Sequence, residues 1–214
     1  MNKPSIAFVT GLLLLILGGC QSAYYAAWEK VGVEKREIMV DRVEDARESQ
    51  EDAQEQFSSA LEEFSALINF QGGELEEVYD RLNDEYEDSK AAADDVSNRI
   101  NKVASVAEAL FNEWEEELDR YQNENYRRAS EQQLRDTKRK YETMLSAMRK
   151  AEGTMTPVLR KLEDNVLFLK HNLNASAIGS LESELTVMQA DIRILIRNMN
   201  SAIAESDAFI ASMK

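Results

Sequence analysis

The chain has 214 residues, 43% of them apolar and 30% charged, which is a globular balance rather than a disordered one. Eight glycines and two prolines leave no linker-like stretch and argue against many short strands, so a single all-α domain is expected. A net charge of −15 disfavours nucleic-acid binding, and the single cysteine, Cys20, excludes an intrachain disulfide.

The first residues read as a targeting segment. A weakly positive start, Met1-Asn2-Lys3, precedes an apolar run of 12 residues from Ile6 to Leu17. As a helix that run covers roughly 18 Å, against about 30 Å of bilayer hydrocarbon, so it suits a signal-peptide core over residues 1–19 better than a membrane span. It ends on Leu17-Gly18-Gly19-Cys20. This resembles the bacterial lipobox, in which an aliphatic residue and two small residues precede the lipidated cysteine; Gly18 is the less usual choice at its position. The resemblance to bacterial lipoproteins implies cleavage between Gly19 and Cys20 and acylation of Cys20. It also implies two-chain anchoring, which holds a protein at a membrane stably where a single acyl chain does not. Gln21 in the place where aspartate retains such proteins at the inner membrane implies the outer membrane, facing the periplasm.

Residues 20–214 read as four long helices, at about 22–70, 74–121, 126–172 and 175–212. The first carries a seam of Met39, Val43, Ala46, Gln50, Ala53, Phe57, Ala60, Phe64 and Leu67. Alternation of alanine with phenylalanine lets two helix axes approach while rings fill the gaps. Gln50, the one polar seam residue, either fixes register or is partly exposed. Gly32 marks a bend near the start. Gln71-Gly72-Gly73 is the clearest break, since glycine tolerates the backbone angles that end a helix.

The second helix opens on Glu74, Glu76 and Glu77, charges that suit a helix N-terminus. Its seam is Leu75, Tyr79, Leu82, Tyr86, Ala93, Val96, Ile100, Val103, Ala107, Leu110, Trp114 and Tyr121, interrupted only at Ser89 and Glu117, with Leu118 covering the second gap. Spacing by threes and fours over so many turns predicts coiled-coil packing. A turn is expected between Gln122 and Ser130, because Ser130-Glu131-Gln132-Gln133 has the form of a capping box. The third helix carries Leu134, Tyr141, Met144, Met148, Met155, Leu159, Leu162, Val166 and Leu169, with Pro157 kinking rather than ending it. Asn172-Leu173-Asn174 is the last turn, with Asn174 or Ser176 as cap. The fourth seam is Ile178, Leu181, Leu185, Met188, Ile192, Leu195, Met199, Ala202 and Phe209. Short turns between such helices predict an antiparallel up-down-up-down four-helix bundle. Cys20, the second turn and the C-terminus would then share one end.

Two stretches carry a family resemblance: Trp28-Glu29-Lys30-Val31-Gly32-Val33-Glu34-Lys35-Arg36 with Asp41-Arg42-Val43, and Pro157-Val158-Leu159 running into Val166-Leu167-Phe168-Leu169-Lys170-His171-Asn172-Leu173-Asn174-Ala175. On these the chain resembles the family of uncharacterised bacterial proteins known as domain of unknown function 2959. The resemblance covers nearly the whole chain after Cys20. It implies a helical, lipidated envelope protein and brings no activity, cofactor or catalytic residue.

The inventory of reactive groups argues against an enzyme and predicts no cofactor or metal. His171 is the only histidine, and Phe168 stands where a di-iron bundle would need glutamate. Beside Lys170 it suits a helix C-terminus instead. No nucleophile elbow or Gly-rich phosphate loop is present. Charge is more telling. Residues 51–95 hold fifteen acids against two bases, and residues 150–193 hold six against five. Glu62, Glu63, Glu74, Glu76, Glu77, Asp80, Asp84 and Glu85 form an acidic tip, which either keeps the rod solvated or meets a basic protein surface or divalent cations. Tyr24, Tyr25 and Trp28 follow Cys20 closely and return to the level of Trp114, Tyr121 and Tyr126. Such rings suit lipid headgroups or a packed plug at the bundle base. Arg127, Arg128, Arg135, Lys138, Arg139 and Lys140 can touch anionic lipid or pair with Glu113 to Asp119.

The expected function is a helical scaffold, spacer or adaptor, tethered through lipid and bound to an envelope protein partner, with self-association through the long seams also open. The alternative is a peripheral module whose flank senses or shapes the membrane.

Overall fold

A computed structural model of the chain describes residues 34–69, 75–172 and 174–214. The described residues are all-helical. Helix α1 spans Lys35–Ile68, α2 Leu75–Leu118, α3 Glu124–His171, α4 Ala175–Ser180 and α5 Glu182–Met213. With 44 and 48 residues, α2 and α3 are about 66 and 72 Å long at ~1.5 Å per residue.

The seams explain how such thin rods are stable. Helix α1 packs against α2 and α5, and α3 packs against the same two. Cross-helix pairs give the directions. Lys35 at the start of α1 reaches Glu113 near the end of α2 at 3.1 Å, while Glu63 near the end of α1 meets Arg81 near the start of α2 at 3.1 Å. Arg149 of α3 donates to Asn101 of α2 at 2.6 Å, and Lys138 to Glu115 at 2.6 Å. Lys161 pairs with Asp191 across α3 and α5, and Arg47 with Asp207 across α1 and α5. Neighbouring helices therefore run antiparallel. The start of α1, the α2–α3 turn and the end of α5 share one end, the base. Apolar side chains of all four long helices merge into one continuous core.

Every residue of the α1 seam, Gln50 included, is fully buried. Most of the other three seams are also buried, with Leu75, Tyr79, Trp114, Tyr141, Leu159 and Leu185 partly so. In α3 the step is from Met155 to the fully buried Val158, so Leu159 falls to the flank of the core. Helix α3 runs unbroken through Pro157.

The described helices differ from the sequence expectation at three places. The first expected helix is interrupted at Glu34, which is extended (φ −79°, ψ 148°) and whose carbonyl accepts the first helical N–H groups of Glu37 and Ile38, so α1 begins at Lys35; residues 22–33 lie outside the described residues. The second turn comes earlier than Gln122 to Ser130: α2 stops at Leu118, and Asn123 caps α3 by accepting from the amides of Asn125 and Tyr126 at 2.9 and 3.4 Å. Ser130 is consequently inside α3, and its hydroxyl accepts from the Trp114 indole N–H at 2.8 Å instead of capping. Tyr121, placed in the α2 seam by periodicity, lies beyond the helix end and is 41% exposed. The last helix is split at Leu181, where the amide bonds back three residues to Ile178 and the Ser180 hydroxyl donates to Ala177. Asn174 does cap α4, accepting from the Ala177 amide at 3.0 Å. Gln71-Gly72-Gly73, Gly32 and Leu173 lie outside the described residues.

Two phenols make the core sensitive to alkali. Tyr86 is pushed above its ordinary 10.0 by burial, by the charges of Glu163 and Glu87, and by a hydrogen bond to Glu163. Tyr141 stands edge-on to Phe111 and Phe209, with centroids at 5.4 and 6.4 Å. Burial raises its pKa from 10.0, and Glu108 and Glu142 add to this against the opposing pull of Arg149. Below pH 10 both phenols are neutral, folded or unfolded, and contribute no pH dependence. As pH rises through 10 the unfolded chain ionises first and binds fewer protons than the folded one, so stability falls from there upward. The thermal midpoint should hold steady from pH 8 to 9.5 and drop beyond pH 10. A Tyr86→Phe, Tyr141→Phe double variant should drop less steeply.

Candidate functional site

Two regions of the bundle surface stand apart from an ordinary solvated rod. The first is the base. Arg36, on the first turn of α1, donates to the Met213 carbonyl at the end of α5 and ties these termini together. Around that tie lies an open cavity of about 460 Å³, walled by Leu110, Trp114 and Met213 with Ser130, Gln133 and Thr137. Tyr121 and Tyr126 edge it and are 41% and 66% exposed. A smaller cavity of about 280 Å³ shares Arg36, Leu110 and Trp114 and includes Glu34, Glu113 and Glu117.

The second region is the half of the rod away from the base, whose two long flanks are unlike. On α1 and α2, Glu62, Glu76, Glu77, Asp80 and Asp84 are exposed. Glu63 and Glu85 are held within the fold: Glu63 pairs with Arg81, and Glu85 accepts from Gln56 at 2.6 Å and Ser59 at 2.7 Å. The seven described carboxylates of the acidic tip thus divide into five exposed ones and two that tie α1 to α2, a division that sequence spacing alone does not reveal. On α3 and α5 the same half exposes Leu167, Phe168, Val187 and Ile194. Phe168 edges a shallow cavity of about 360 Å³ with Lys161, Asn165, Leu181 and Glu184. Periodicity assigned these apolar residues no role, because they flank the seam rather than lie on it.

Much of the basic run at the base is paired within the chain. Arg127 reaches Glu124, Arg135 Glu131, Arg139 Asp136 and Lys138 Glu115. Lys138 also lies over the Phe111 ring at 5.4 Å. Asp136 is held below the usual carboxylate range, chiefly by its hydrogen bond from Gln132 and then by Arg139 and Arg135. His171 is the last residue of α3 and exposed, beside Lys170. Among the described residues no three His, Cys, Asp or Glu side chains converge as a metal site would require, and no helix is long and apolar enough to cross a membrane. Gly19, Cys20, Tyr24, Tyr25, Trp28 and Glu74 lie outside the described residues.

These features define a helical-bundle protein with a cavity at one end and two chemically distinct flanks toward the other. The profile of the proteins of unknown function DUF2959 matches residues 24–213, and the chain belongs to that family. No curated protein matches it.

Proposed function

We propose that the chain is an outer-membrane lipoprotein facing the periplasm, anchored through Cys20, whose up-down-up-down four-helix bundle acts as a scaffold, spacer or adaptor for an envelope protein. The observation that carries the reading is the contrast between the two flanks: exposed carboxylates along α1 and α2, and exposed Leu167, Phe168, Val187 and Ile194 along α3 and α5. Exposed apolar side chains on one flank, set among charges of both signs, together with a strongly acidic second flank would provide both burial and electrostatic steering for a partner with a basic rim. Tethering adds effective concentration, since one fixed end confines the other to a shell near the membrane.

The runner-up, a module that lies on lipid, is favoured by exposed Tyr121 and Tyr126 at the base. The pairing of Arg127, Arg135, Lys138 and Arg139 with acids of the chain weighs against it, because paired cations attract anionic headgroups weakly.

Cys20→Ala should abolish acyl labelling in cells and release the chain from the membrane fraction. Photo-crosslinkers at Phe168, Val187 or Asp84 should each capture the same neighbour, and one at Glu142 should not. Adducts from no position, or only from Tyr126 to lipid, would remove the adaptor reading and leave the runner-up.

A further inference from the structure

We propose that the cavity at the base binds a phosphate ester that carries an apolar group, with Arg36 taking the phosphate and Leu110, Trp114 and Met213 the apolar part. The inward face of α3 argues that this space is more than a packing remainder. From Met148 through Met144 and Tyr141 the core positions step back by fours and threes. Continued toward the start of the helix, the same steps reach Thr137, Gln133 and Ser130, which line the cavity. A bundle end that served packing alone would gain most from apolar residues at these positions. The stripe turns polar instead, at the point where the cavity opens. The Gln133 amide and the Thr137 hydroxyl have no hydrogen-bond partner among the described residues, and Ser130 keeps its own O–H after accepting from the Trp114 indole.

The lining also sets the sign of the ligand. Among the described residues, Arg36 is the only charged side chain on the larger cavity, and no acid lines it. The Arg36 guanidinium donates to the Met213 carbonyl and forms no ion pair among the described residues, so its remaining N–H groups are open to an anion. Of the acids on the adjoining smaller cavity, Glu113 is matched by Lys35 and Glu117 by Arg120, while Glu34 makes no ion pair with Arg36. Donors from Arg36, Ser130, Gln133 and Thr137 outnumber the two oxygens of a carboxylate and suit a phosphate, whose geometry the arginine fork matches. Leu110, Trp114 and Met213 on the remaining wall favour an apolar neighbour of that phosphate over water. The volume of about 460 Å³ lies within the ~300–1,000 Å³ of small-molecule sites. A single phospholipid and a soluble organic phosphate share this chemistry. The inference does not rest on the adaptor reading and survives its failure.

The test uses the full chain carrying Cys20→Ser, so that no lipid is attached, and Trp28→Phe, so that Trp114 is the only tryptophan. Trp114 emission is followed while dihexanoylphosphatidylglycerol below its micelle concentration, phenyl phosphate or inorganic phosphate is added. At least one of the two esters should give a saturable change, and the tighter of them assigns the source: the phosphatidylglycerol a lipid, phenyl phosphate a soluble ligand. Inorganic phosphate should bind at least about tenfold more weakly, because it leaves the apolar wall uncovered. Arg36→Gln and Thr137→Val should each weaken the tighter ester about tenfold or more, the effect of losing a hydrogen bond to a charged group. Helicity by circular dichroism checks the bundle in each variant, and Thr137→Val leaves the tie between Arg36 and Met213 in place. No saturable change with either ester, unchanged affinity in either variant, or inorganic phosphate binding as tightly as the esters would overturn the proposal. A change seen only with vesicles of phosphatidylethanolamine and phosphatidylglycerol would also overturn it, and would assign the Trp114 response to adsorption on a bilayer.

Discussion

Replacing Phe57 with alanine should cost about 3–5 kcal/mol, the usual range for a phenylalanine removed from a closed core. Phe57 is fully buried at a point where α1 presents Ala53 and Ala60 on either side. Small neighbours let the helices approach, and the ring then fills what remains between them. That arrangement leaves nothing to collapse into the gap, because alanine has no rotamer through which to move. The cavity is retained and its cost adds to the lost transfer energy. Against a total stability of about 5–15 kcal/mol, the loss is about a fifth or more. Phe168→Ala on the exposed flank should stay within ~0.5 kcal/mol. Urea unfolding of the two variants side by side checks this. A cost below ~1 kcal/mol at Phe57 would mean that α1 and α2 are loosely packed there.

The same alternation explains why so much of the fold was legible in the sequence. A helix seam is a local property: 3.6 residues per turn projects Met39, Val43, Ala46 and their successors onto one line whatever packs against it. All nine positions predicted for α1 are buried. Periodicity failed where the cause was not local. Tyr121 has the correct phase but follows the end of α2, which is set by the Asn123 cap on the next helix. Ser130 to Gln133 has the form of a cap, yet the Trp114 indole claims the Ser130 hydroxyl from another helix. Flank residues are harder still. Phe168 and Val187 are exposed while Leu169 and Met188, one residue on, are fully buried. A rotation of 100° decides between core and solvent, and composition cannot see it. Charge was legible as a total but not as a division. The fifteen acids of residues 51–95 could be counted, whereas the commitment of Glu63 and Glu85 to Arg81, Gln56 and Ser59 could not.

Gln50→Met should raise stability by about 1–3 kcal/mol, an increase from deleting a polar group rather than from adding a contact. The side chain is fully buried, and neither its amide oxygen nor its nitrogen has a hydrogen-bond partner. Two other buried polar side chains avoid that penalty, although the buried Ser89 hydroxyl does not. Ser49 donates to the Ala46 carbonyl at 2.9 Å and Ser206 to the Ala202 carbonyl at 2.7 Å, each within its own helix. A hydroxyl on a short side chain can turn back in this way, but the longer glutamine amide projects into the seam, where apolar groups surround it. Methionine matches its length and unbranched shape and fills irregular space without needing a partner. Gln50→Ala should instead destabilise, because the cavity outweighs the polar relief. What the amide provides in return is specificity. A polar group on the seam is tolerated in one register and costs more where it faces a wholly apolar layer. The methionine variant should therefore be more stable and also less uniform, with higher oligomers visible by sedimentation. A variant that is stabilised and still sediments as a single species would remove the register role. One that is destabilised would mean that the amide has a polar partner in solution, such as a trapped water.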